Sequence, residues 1–179
     1  MLSLSYADYQ AMRAHGEETY PHECCGILLG THAPGSQPTA SASGVGGNVV
    51  RRIVRAGNTR TDSAHNRYHI APEELVRAQR EARRDGLDIV GFYHSHPDHP
   101  AQWSATDFAE AHWIGCSYVI TAVEKGHAEV TNSFLLQGSD EDSKVFVDEA
   151  LEIDVTGVDD KDAKSAAEQS IQVLGGEAR

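Results

Sequence analysis

The spacing of apolar and polar positions divides the chain into short segments of two periodicities. From Ser5 to about Glu18 apolar residues recur at helical spacing, and Ser5 is the candidate N-cap. Pro21 interrupts that pattern. Cys24-Cys25-Gly26-Ile27-Leu28-Leu29-Gly30 then reads as a short, buried strand. Residues 31–48 are rich in Gly, Ser, Pro and Thr and predict a loop. Residues 49–56 are strand-like, 57–66 form a polar loop, and 67–70 a brief strand. Pro72 suits the first position of a helix, with Glu73 and Glu74 in its first turn. Leu75, Ala78 and Ala82 continue the stripe, and Gly86 suits the residue that ends it. Residues 87–97 predict a strand through Leu87, Ile89, Val90 and Phe92. Residues 104–113 predict a helix starting at Ser104. Residues 116–123 and 128–136 predict a hairpin, and 144–155 one last strand. The order of helices and strands suggests an α/β domain, a mixed sheet covered by helices.

Length and charge refine this picture. The 179 residues suit one domain, taken as 1–155, followed by an acidic tail, 156–179. Ala163, Ala167, Ile171 and Leu174 lie at helical spacing in that tail, which either docks as a short helix or stays disordered. The net charge is −12, and residues 138–179 hold twelve acids against four bases. Such acidity argues against nucleic acid as a partner. Residues 51–84 are the exception, with nine Arg against four acids, and read as an ordinary solvated strand and helix. No apolar run approaches the ~18 residues of a membrane span. The first residues lack the basic start and apolar stretch of a signal peptide. A cytoplasmic protein is expected, with no membrane partner. Cys24, Cys25 and Cys116 include no C-x-x-C pair and read as buried free thiols.

The candidate chemistry lies in His94-Ser95-His96-Pro97-Asp98-His99. His94 and His96 lie two apart on a predicted strand, so both point to one face and can grip one metal ion. Ser104 and Asp107 form Ser-x-x-Asp at a helix start, a spacing common in purely structural capping boxes. If strand end and helix start meet, two His and one Asp leave a fourth tetrahedral position for water. Glu23, just before the buried strand, is placed to serve as a base. A second pattern also fits: His94, His96, Asp98 and His99 as part of a dinuclear site resembling the metallo-β-lactamases. Only His112 and His127 follow as further histidines, and the chain is short for that fold.

Taken together, Glu23, His94-Ser95-His96-Pro97, Ser104 and Asp107 resemble the motif of the JAMM/MPN-plus metalloproteases, compact prokaryotic members above all. The likeness runs from about residue 4 to 136 and includes Asn58 and residues 67–75. It implies a cytidine-deaminase-like mixed β-sheet sandwiched by helices. It implies one Zn2+ held by His94, His96 and Asp107, Glu23 polarising the water, and Ser104 bonding the oxyanion. The implied reaction is hydrolysis of a peptide or isopeptide bond after the C-terminal Gly-Gly of a ubiquitin-like or sulfur-carrier protein. Trp103 departs from the pattern, since relatives often place Pro there. A non-enzymatic binding scaffold with the same fold is the other reading.

Overall fold

Ser5 starts a helix through its hydroxyl, which accepts a hydrogen bond from the Asp8 amide at 3.1 Å. The computed structural model describes residues 1–32, 47–59 and 67–158. The tail helix and most of the loop expected over 31–48 lie outside those residues. The elements are β1 (Leu2–Ser5), α1 (Tyr6–Thr19), β2 (Cys25–His32), β3 (Asn48–Ala56), α2 (Pro72–Arg84), β4 (Asp88–Pro97), α3 (Ala105–Glu110), β5 (Ser117–Glu124), β6 (His127–Gln137), β7 (Val145–Glu149) and β8 (Leu151–Asp154). The eight strands make one mixed sheet in the order β7-β6-β5-β4-β2-β3-β1-β8. β4 and β5 run parallel at its centre, and β2 is antiparallel to β4.

Each face of the sheet carries its own core. On one, Tyr9 and Met12 of α1 pack with Leu28, Val90, Tyr93 and Val119. On the other, Ala78 and Ala82 of α2 pack with Cys25, Ile27, Leu29 and Phe92. The small alanines let α2 approach the sheet closely. Pro72 at its start, acids in its first turn and Arg83 and Arg84 in its last suit the helix dipole. Gly86 takes φ 71°, the left-handed conformation that ends the helix without a Cβ penalty.

β4 places the chemistry. Its register with β2 shifts between Leu28 and Leu29, which face Gly91 and Ile89. Val90 is the extra residue, so Ile89 and Phe92 both reach the α2 side. From Phe92 onward the alternation is regular, and it sets His94 and His96 on that same side with Cys25 directly across from His94. Tyr93 and Ser95 turn toward α1.

Three expectations need correction. Residues 144–155 form two strands, not one. β7 pairs with β6 at one edge of the sheet and β8 with β1 at the other, with Ala150 alone between them. The sheet must therefore curl until its edges are within one residue's reach, and Leu2 N–H donates to the Ala150 carbonyl at 2.8 Å. Alternation along 144–155 is the same on either edge, so the sequence pattern does not reveal the switch. The strand expected over 67–70 is reduced to a single bridge from Asn58 to Ile70. The helix expected over 104–113 stops at Glu110. Ala111 leaves helical angles (φ −82°, ψ 111°), and its carbonyl accepts from Lys144 Nζ at 2.8 Å. β1 has no counterpart in the sequence reading.

Candidate metal centre

The carboxyl end of β4 and the start of α3 meet, and three side chains converge there. His94 Nε2 and His96 Nε2 are 3.0 Å apart. Asp107 Oδ1 lies 3.3 Å from His94 Nε2, and Asp107 Oδ2 lies 3.5 Å from His96 Nε2. Ligands on a tetrahedral zinc with bonds of about 2.0–2.1 Å stand roughly 3.3 Å apart. The distances to Asp107 run to different oxygens of its carboxylate, and one ligand atom from each of the three residues lies within 4.8 Å of the others, a spacing at which one ion could be held. Among the described residues this is the group of His, Cys, Asp and Glu side chains that could hold a metal.

Each member of the group is oriented by its surroundings. His96 Nδ1 bonds the Pro100 carbonyl at 2.9 Å, which leaves Nε2 free to ligate. The Tyr68 ring stacks on His94 at 4.6 Å. His94 Nδ1 is buried, and none of the described residues bonds it. Asp107 is fixed by a full capping box: Ser104 Oγ accepts from Asp107 N at 3.2 Å, and Ser104 N donates to Asp107 Oδ2 at 2.6 Å. Ser104→Ala is therefore expected to lower stability by ~1 kcal/mol, read as a drop in the denaturant midpoint. The structural role that Ser-x-x-Asp plays elsewhere is real here, and it is what aims Asp107 at the histidines.

Electrostatics favour a cation. Burial alone would raise the Asp107 pKa, but hydrogen bonds from His94 and His96 outweigh it and hold the carboxyl well below its ordinary value. Burial lowers His94; burial would lower His96 too, but its bond to Asp107 raises it instead. Glu23 lies before β2 and is 5% exposed. Burial pushes its pKa up to about 8, against the pull of His96 and with help from Asp107 and Glu110.

Two residues that hold the Glu23 segment were given no role by the sequence reading, although Asn58 was part of the family likeness. Ser95 Oγ accepts from Cys24 N at 2.9 Å, and Asn58 Nδ2 donates to the Glu23 carbonyl at 3.2 Å. Ser95 sits in plain view within the His-Ser-His signal, but only the pairing of β2 with β4 gives it a task. Asp98 does not join the metal group. Its carboxylate accepts from Tyr20 OH and from Lys125 N, each at 2.8 Å. His99 is exposed. The dinuclear pattern is thereby broken at its third ligand. The three cysteines are buried and free.

Fold and site together define a class: an α/β domain with three side chains that could hold a metal at the end of a central strand. The chain belongs to the prokaryotic homologs of the JAB domain, whose family model matches residues 7–137. It is 38% identical over 125 residues to the desampylase of Haloferax volcanii, across 66% of this chain and 78% of that protein. It is 35% identical over 68 residues to a "Probable TtuB-protein conjugate cleaving protease" of Thermus thermophilus, across 38% of this chain and 45% of that protein. The solution structure of a Desulfitobacterium hafniense protein matches with a TM-score of 0.66 and 26% identity, covering 86% of this chain and 94% of that one. No helix among the described residues is long and apolar enough to cross a membrane.

Proposed function

We propose that the chain is a cytoplasmic zinc-dependent hydrolase. In this reading it cleaves the peptide or isopeptide bond after the C-terminal Gly-Gly of a ubiquitin-like or sulfur-carrier protein. Residues 1–155 make up the catalytic domain, and 156–179 an acidic tail. The observation that carries the proposal is the triangle of His94, His96 and Asp107 beside a buried carboxyl, Glu23. The names of the two curated relatives support the substrate class.

His94, His96 and Asp107 would hold the ion, and two nitrogens with one oxygen suit zinc. Zinc, when bound, acidifies water and polarises a carbonyl. Glu23 takes the proton of the attacking water and passes it to the leaving nitrogen. A C–O bond forms as the C–N bond breaks, and an acid and an amine result. Burial suits Glu23 to this, because it keeps the carboxyl's proton affinity near neutral pH. Ser104, exposed at the rim beside Asp107, donates to the carbonyl oxygen as negative charge develops, a contribution of roughly 3 kcal/mol.

The test is incubation of the zinc-loaded protein with carrier conjugates, linear and lysine-linked, with and without a chelator. Cleavage after Gly-Gly, abolished by the chelator, is expected. Retained binding with no cleavage of any conjugate would instead make the chain a binding scaffold.

A further inference from the structure

The open side of the site is not formed by its buried members. His94 and His96 are 2% and 8% exposed, and Glu23 is equally enclosed, whereas Gln102, Trp103, Ser104 and Ala105 are all exposed. Asp107, the least buried side chain of the three, lies in the first turn of α3, so the start of that helix borders the solvent side of the group. The large apolar group at that point is the Trp103 indole, 41% exposed and next in the chain to Ser104. The indole is backed by other rings. Its centroid lies 5.6 Å from Phe108 and 5.6 Å from Phe146, which are 5.7 Å from each other. Phe146 is anchored in turn on Tyr118 at 5.1 Å. Lys144 lies 5.2 Å over Phe108 and bonds the carbonyls of Ala109 and Ala111. Phe108, Phe146 and Lys144 already fasten α3 to the sheet, so the exposed face of the indole is left over from that task. A ring held in place beforehand loses little conformational freedom when something settles on it.

We propose that Trp103, backed by Phe108, is a specificity-determining residue. Its indole receives an apolar side chain of the substrate segment that crosses the open side of the metal group. The proposal rests on the hydrolase reading above. An aromatic face favours an apolar side chain over a polar one, because contact removes apolar area from water on both partners. The side chain in question is one flanking the glycine pair, either on the carrier side or on the leaving-group side.

The chain has two tryptophans, Trp103 and Trp113, so in a Trp113→Phe protein the indole fluorescence reports Trp103 alone. Metal-free protein is titrated with three short synthetic peptides centred on Gly-Gly. One has Leu before the glycines, one has Leu after them, and one has Ser at both places. A saturable blue shift with one of the Leu peptides is expected, with affinity at least about tenfold above that of the Ser peptide. Which Leu peptide responds tells the two sides apart. In the zinc enzyme, Trp103→Ala should raise KM about tenfold for the matching Leu substrate and leave kcat and the Ser substrate unchanged. Trp103→Phe should restore most of the loss. Emission indifferent to every peptide would overturn the proposal. So would a fall in kcat shared by all substrates, since Trp103 would then act only by holding Asp107. A blue shift in a protein that cleaves no conjugate would sink the hydrolase reading, and the specificity role with it, leaving Trp103 only as a peptide-binding residue of a scaffold.

Discussion

Replacement of Glu23 by Gln should lower kcat by about a thousandfold, within the ~10²–10⁴ range for loss of a general base, while zinc content stays at that of the wild type. Gln keeps the size and hydrogen-bonding ends of the side chain but cannot carry the proton. A variant that loses zinc along with activity would place Glu23 among the ligands instead. The substitution also has a signature in the metal-free protein. The Glu23 pKa rises from 4.5 in the unfolded chain to about 8 when folded. Below pH 4.5 both states are protonated and stability is full. Between pH 4.5 and 8 the unfolded chain ionises first, so stability falls as pH rises. Gln removes that dependence. The thermal midpoint of metal-free Glu23→Gln, relative to wild type, should therefore be higher at pH 8 than at pH 4. Added zinc should shrink the difference, because a nearby dication favours the carboxylate.

Asp107→Ala should abolish zinc binding and activity together. Metal content measured by mass spectrometry should fall from about one ion per chain to near none. Asp107 is kept ionised across the ordinary pH range by its bonds to His94 and His96, so the wild-type group is ready to ligate without first losing a proton there. Its loss leaves two imidazoles facing each other at 3.0 Å with no anion between them. It also removes one arm of the α3 cap, about 1 kcal/mol. Asp107→Asn separates the effects, because its amide oxygen can still accept from Ser104 N. Zinc retained by both variants would show that the ion binds elsewhere.

The grouping of the candidate metal residues was more readable in the sequence than the edges of the sheet, for a physical reason. His94 and His96 are linked by the period of one strand, and Asp107 by the capping box at one helix start, so each half of the triangle is local. Only the meeting of the halves is a tertiary fact, and it was the resemblance to the JAMM motif that made it an expectation. That Ser95 and Asn58 would support Glu23 was not foreseeable, although Asn58 belongs to the family likeness. Ser95 and Asn58 act across strand pairings and loops distant in sequence, and neither residue type signals such a bond. The same holds for β1 and β8. Four-residue strands carry too few positions to show a period, and they lie outside the span matched by the family. The Asp98 carboxylate looked like a ligand because of its neighbours in sequence, but Tyr20 and the turn at Lys125 claim it.

The curl that brings both edges of the sheet to Ala150 has a consequence for how the chain reaches its final shape. β6 and β1 are covered by the two halves of residues 145–154, and β1 comes from the first residues of the chain. Until that segment has been synthesised and docked, both strands present unpaired amides and carbonyls at once, a template for pairing with another chain. The pairing of residues 2–5 with 151–154 spans nearly the whole domain, the kind of long-range contact that forms slowly. The last ten residues of the sheet thus act as its clasp, and a chain cut short before Val145 would be left sticky on two sides.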